Sequence, residues 1–70
     1  MKNTIKVERA KLGITQAELA DKINVSRQTI NSIEIGKFVP STVLALKIAL
    51  IFNTTVDAIF TLEEKDFKGF

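Results

Sequence analysis

Between residues 24 and 37 the chain reads NVSRQTINSIEIGK, and here Ser26, Arg27, Gln28, Asn31 and Ser32 concentrate side chains that donate and accept hydrogen bonds. These are types that read nucleobase edges. A guanidinium pairs with O6 and N7 of guanine, and a glutamine amide pairs with N6 and N7 of adenine. Val25, Ile30 and Ile33 interleave as one apolar stripe, so the stretch predicts an amphipathic helix with one wet face. The catalytic repertoire elsewhere is thin. The chain has no Cys and no His, which removes disulfides, argues against a zinc site and takes away the usual nucleophiles and general bases. Ser, Thr, Lys, Asp and Glu remain, but their order suggests no triad or dyad. No catalytic, metal-ligating or cofactor-binding residue is assigned, and an enzyme is not expected.

The elements that must hold this stretch are legible from their ends. A first helix is expected from about Thr4 to Lys11, closed by Gly13, which takes the left-handed conformation freely. Thr15 with Glu18 three residues on forms a capping box and opens a second helix that runs to about Ile23. Asn24 tolerates positive φ and suits a tight turn. Ser26 caps the third helix, which is expected to end near Ile35 with Gly36 as its stop. Ser41 caps a fourth helix, Thr42 to Phe52, and Thr54 with Asp57 opens a short fifth helix to about Phe60. The strand signal is weak. In the last residues, TLEEKDFKGF, the apolar side chains are not helically spaced; a short strand, a dimer contact and a frayed end all remain open there.

Seventy residues make one domain with one small core. Residues 1–50 carry eight Lys/Arg against four Asp/Glu (net +4), and residues 51–70 carry two against four (net −2). The basic excess lies in the part that contains the quoted stretch and suits an anionic partner, although charge alone leaves a merely solvated surface open. The first residues lack the apolar run of a signal peptide, and VLALKIALIF, interrupted by Lys47, is too short to span a bilayer. The expectation is a cytoplasmic protein with no membrane partner and no evident small-molecule ligand.

Within Gln16 to Glu34, two helices of about two turns each flank a very short turn. Ala20 is small where they approach, and Leu19, Ile23, Val25, Ile30 and Ile33 supply a shared apolar seam. That is the pattern of a helix-turn-helix, whose second helix lies in a DNA major groove. Double-stranded DNA is therefore the expected partner. Arg27 and Gln28 are the first candidates for base reading, with Ser26, Asn31 and Ser32 beside them.

The pieces GITQAELADKINVSRQTINSIEIGKFVPS and LALKIALIFNTTVDAIF, covering roughly residues 5 to 62, resemble the Cro/CI-type (Xre family) helix-turn-helix regulators, and among them the small stand-alone repressors. The resemblance implies an all-α, five-helix lambda-repressor-like DNA-binding domain over residues 1–62. Residues 63–70 would form a tail, with a short C-terminal strand in the dimer left open. It also implies a homodimer on a palindromic operator, and phosphate contacts from the start of the second helix at Thr15 and Gln16. Thr29 and Lys37 are candidates to clamp the other side, with Lys6 and Lys11 as weaker ones. An ion pair between Arg9 and Glu34 would fix the third helix. The chain departs from the family pattern at Asn24, where Gly is usual, and at Ile35, where a small polar residue is usual. It departs again at Thr42, where Leu is common, and at Val43 and Leu50, which are commonly polar. With Ile51 these leave the fourth helix apolar nearly all round, more than a small core covers. Val43, Leu50, Ile51, Ile59, Phe60 and Leu62 are thus the expected dimer surface, the alternative being that they simply cover a thin core. Two other roles stay open: an antitoxin or controller of the same fold that also binds a protein, and a helical adaptor that does not bind DNA.

Overall fold

In the computed structural model, residues 1–68 are described, and they form five helices, a pair of two-residue strands and one 3₁₀ turn. The order is β1 (Lys2–Asn3), α1 (Ile5–Leu12), α2 (Gln16–Ile23), α3 (Arg27–Glu34), α4 (Thr42–Ile51), α5 (Val56–Ile59) and β2 (Phe60–Thr61), followed by the 3₁₀ turn Glu64–Phe67.

Local chemistry sets most of the boundaries. Gly13 sits at φ +68° and ends α1, its N–H donating to the Ala10 carbonyl. The Thr15–Glu18 capping box is complete: the Glu18 N–H donates to Thr15 Oγ1 at 3.0 Å and the Thr15 N–H donates to Glu18 Oε1 at 2.9 Å. Asn24 takes φ +59°, so the turn between α2 and α3 occupies three residues, Asn24 to Ser26. Ser26 and Ser41 accept the N–H groups of Thr29 and Leu44, each at 3.1 Å.

One helix cap and one strand pairing differ from the sequence expectation. Thr55, not Thr54, precedes α5, and it makes no side-chain cap. Thr54 is spent on the preceding helix: Asn53 turns left-handed at φ +54°, and the Thr54 N–H closes α4 on the Ala49 carbonyl at 3.0 Å. The second difference is the strand pair. β1 and β2 are antiparallel, with Lys2 opposite Thr61 and Asn3 opposite Phe60. The short C-terminal strand therefore finds its partner in the N-terminal residues of its own chain.

The core draws on every helix. Ile5, Leu19, Ile30, Ile33, Ile48 and Ile59 are fully buried, and Ala20, Ile23, Ala45, Ala49, Phe52 and Phe60 complete the cluster. This corrects part of the expected dimer surface: Ile59 and Phe60 belong to the chain's own interior. One turn of α5 leaves Ile59 buried in the shared cluster, its carbonyl accepting the Thr4 N–H at 3.0 Å, and with the switch to extended backbone at Phe60 that ring is buried too. Ile51 is half-buried against the core. Val43, Leu50 and Leu62 remain exposed. α4 is inverted in size: its core side carries Ala45, Ile48 and Ala49, while Val43, Leu46 and Leu50 stand outward at 63%, 57% and 78% exposure.

The residues after β2 fold back on the amino terminus. The Met1 ammonium lies 2.9 Å from Glu63 Oε1 and 3.2 Å from Asp66 Oδ2, and the Glu63 N–H donates to Asp66 Oδ2 at 2.7 Å. Phe70 lies outside the described residues. Glu63, ahead of the opposing desolvation, holds the amine above its ordinary value, and the amine in turn holds the Glu63 carboxyl low. Asp66 is lowered first by the Glu63 backbone N–H and then by the amine. A raised amine contributes stability below the ordinary α-amino value and loses it as pH rises through its shifted one. Depressed carboxyls contribute above the ordinary carboxylate range and lose it as pH falls. The clamp is therefore complete from about pH 5 to about pH 8. The melting-temperature difference between the native chain and Glu63→Gln, followed by circular dichroism, should be largest in that window and shrink on both sides. A difference that stays constant across it and beyond would rule the clamp out as a source of stability.

Candidate nucleic-acid interface

α3 presents Arg27, Gln28 and Asn31 to solvent, with Ser32 half-exposed beside them, on the side opposite buried Ile30 and Ile33. α2 packs chiefly against α3, and Leu19, Ala20 and Ile23 meet Ile30 and Ile33 in the same cluster. The small Ala20, nearly fully buried, sits where the two helices converge.

The start of α3 is electrostatically unusual. Its first turn holds no acidic residue and opens on Arg27. A cation beside the positive end of a helix is disfavoured by a few tenths of a kcal/mol to about 1 kcal/mol. Among the described residues no carboxylate pairs with Arg27. The α3 N-terminus thus combines unneutralised helix charge with a free guanidinium, an arrangement that favours an anionic partner. At α2 the capping-box carboxylate of Glu18 occupies the equivalent place, its pKa held low chiefly by the Thr15 backbone N–H.

The candidate phosphate-contacting residues flank α3, each with a defined local role. Thr15 Oγ1 caps α2. The Thr29 hydroxyl lies 2.9 Å from Ser26 Oγ, so one proton is shared inside the pair and one hydroxyl hydrogen remains to donate outward. Lys37 is exposed at the end of a hook: the Lys37 and Phe38 N–H groups both donate to the Ser32 carbonyl, at 2.9 and 3.2 Å. The hook sets Phe38 against a shallow depression lined by Ser26, Gln28, Thr29 and Ser32. Sequence reasoning did not single out Phe38; the available signal is an aromatic residue next to Lys37 in the turn right after the wet helix. Lys11 pairs with Glu8 on its own helix at 3.2 Å, and Lys6 lies exposed on α1.

Behind this face sits a largely buried polar contact. Arg9 of α1 grips Glu34 of α3 with two parallel bonds, Nε to Oε2 at 2.7 Å and Nη2 to Oε1 at 3.1 Å, and its Nη1 donates to the Ile14 carbonyl at 3.2 Å. The side chains are only 15% and 7% exposed. The carboxylate raises the guanidinium further above its already high pKa. Gln16 joins from α2: its Nε2 donates to Glu34 Oε1 at 3.3 Å and to Asn31 Oδ1 at 3.2 Å. Three helices thus meet at one carboxylate. Asn3 adds a fourth tie, its Oδ1 accepting from the Ile5 N–H and its Nδ2 donating to the Ile33 carbonyl at 2.9 Å.

The helix-turn-helix family model matches residues 5–59 of this chain. The chain belongs to the helix-turn-helix family, of the Cro/CI (Xre) type. As a member of it, the chain is similar over nearly its whole length to proteins named uncharacterized HTH-type transcriptional regulators. One from Bacillus subtilis is 44% identical over 94% of this chain and all of its own length. One from Methanocaldococcus jannaschii is 48% identical over 94% of this chain and all of its own. One from Archaeoglobus fulgidus is 44% identical over 99% of each. Among the described residues of this helix-turn-helix chain, no helix is long and apolar enough to cross a membrane.

Cutting one side of the Arg9–Glu34 pair leaves the other charge largely buried and without its ionic partner. Arg9→Ala should lower the unfolding free energy by about 3 kcal/mol, the low end for a broken buried pair. The double variant Arg9→Met/Glu34→Leu should recover much of that loss. Urea titration measures both. Equal stability of Arg9→Ala and the native chain would remove the pair from its structural role.

Proposed function

We propose that the chain is a homodimeric transcriptional repressor that binds a palindromic operator by laying α3 in the major groove. The observation that carries this reading is the α3 N-terminus: a helix start with no acid, a free Arg27, and Gln28 and Asn31 exposed on one face. Arg27 and Gln28 read base edges, Arg27 suiting guanine and Gln28 suiting adenine. Ser26, Asn31 and Ser32 extend the contact along the groove. The α2 amino terminus at Thr15 and Gln16 faces one phosphate run. Thr29 and Lys37 face the other.

The exposed row Val43, Leu46 and Leu50 on α4, with Leu62 exposed as well, supports pairing with a second copy. A row of large apolar side chains on the outside of a helix whose core side carries Ala45, Ala49 and Ile48 is surface of the kind a partner covers. Two α3 helices held about 34 Å apart would meet half-sites one helical turn apart. Repression needs only occupancy of the operator, which the two surfaces together supply.

Affinity for duplex DNA should fall steeply as salt rises, because bound phosphates release counterions. Affinity that ignores salt between low and physiological concentration would sink the reading. Arg27→Ala should weaken specific binding by about 1–3 kcal/mol and relax preference at one position of each half-site; an unchanged affinity and footprint would reassign Arg27. Sedimentation equilibrium tests the pairing. The native chain should give twice the chain mass and Leu50→Glu the single mass, whereas a monomeric native chain at micromolar concentration would refute the dimer.

A further inference from the structure

The contacts behind α3 fix which way one of its reading side chains faces. We infer that Gln16 is a positioning residue that forces Asn31 to present its amide NH₂, and only that, to a bound base. This rests on α3 being the groove-reading helix.

The chain of compulsion starts at Arg9. The guanidinium donates twice to the Glu34 carboxylate, whose oxygens can only accept. Gln16 lies 3.3 Å from Glu34 Oε1, so the atom it turns there must be its Nε2. That nitrogen has two hydrogens. One goes to Glu34, and the second goes to Asn31 at 3.2 Å. Asn31 must therefore turn Oδ1 toward Gln16, and its Nδ2 faces away, on the exposed side of α3. The polarity of a surface amide is set by an ion pair two side chains behind it.

Two consequences follow for recognition. An asparagine that reads adenine bidentately needs both its oxygen and its nitrogen at the base edge, and here the oxygen is turned back toward Gln16. A donor-only Asn31 fits an edge that accepts. Guanine, with N7 and O6 both accepting, suits it best, and cytosine, which offers only its N4 amine, is rejected. The same geometry removes the Gln16 side chain from phosphate binding, since both of its amide hydrogens are committed. The backbone N–H groups at the start of α2 are left for that task.

Two measurements test the relay. On the free protein, side-chain amide NMR should show the Gln16 NH₂ protected from exchange with water and the Asn31 NH₂ exchanging freely; the reverse, or both free, overturns the relay without reference to DNA. Selection of bound duplexes from a random pool then tests the readout. The position Asn31 reads is the one whose preference Asn31→Ala relaxes. There the native chain should favour guanine over cytosine by about tenfold. Asn31→Asp, whose carboxylate keeps the bond from Gln16 but accepts outward, should favour cytosine. Gln16→Leu frees the amide to turn over and should admit adenine while the guanine preference collapses. The same base preference in Gln16→Leu as in the native chain, at a position that Asn31→Ala relaxes, refutes the inference. So does an Asn31→Ala that relaxes no position. A native chain that enriches no duplex, with its Gln16 amide protected, refutes the DNA reading itself and the recognition role with it.

Discussion

The bidentate contact between Arg9 and Glu34 is the constraint on which the reading face depends. α3 is only eight residues long, and its apolar stripe fixes rotation about its axis better than position along it. The ion pair supplies that missing coordinate by tying the last residue of α3 to the middle of α1. Because both side chains are largely withdrawn from water, the pair demands full satisfaction. Arg9 meets the demand with a third bond to the Ile14 carbonyl, Glu34 with the Gln16 amide. A half-satisfied version would be worse than an apolar contact, so this junction favours one arrangement of α1, α2 and α3 over slipped neighbours.

What the sequence made legible was local. Thr15 with Glu18, Ser26 and Ser41 cap within three residues of themselves, and Gly13 and Asn24 turn left-handed where their own backbone requires it. None of that needs knowledge of the rest of the fold. The Arg9–Glu34 contact, which lies far apart in sequence, was legible only through the family resemblance. What stayed hidden was non-local or too short to have a period. A strand of two residues shows no alternation, so Lys2–Asn3 and Phe60–Thr61 left no pattern. Ile59 and Phe60 read as surplus apolar surface because the direction of a one-turn helix cannot be known until the strand pair pulls it round. The Gln16–Asn31 bond was invisible because both residues read as outward-facing groups in their own right.

α4 shows how a small domain divides its apolar residues. Alanines inward let the helix approach the core closely, and the bulk that would fill a larger core stands outside as Val43, Leu46 and Leu50. A chain of this size buries a modest share of its surface alone, and pairing would raise it. The basic excess over residues 1–50 and the acidic excess over residues 51–70 then follow a division of labour. Arg27 and Lys37 bring positive charge to the reading face, and Glu63, Glu64 and Asp66 bring the opposite sign to the tail that clamps the amino terminus.

The strand pair has a consequence for the order of assembly. It joins residues 2–3 to residues 60–61 and so closes a loop of almost the whole chain, whereas the caps and the α2–α3 packing close only short ones. Loop closure is dearer in entropy the longer the loop, so the helical nucleus is expected to form first and the ribbon to zip last. On unfolding the sequence reverses. The ribbon is expected to open first, and Phe60 leaves the buried cluster it shares with Ile59 and Ile5. The ribbon is thus the latch of the domain, and the earliest partly open state is one in which α2 and α3 are still intact.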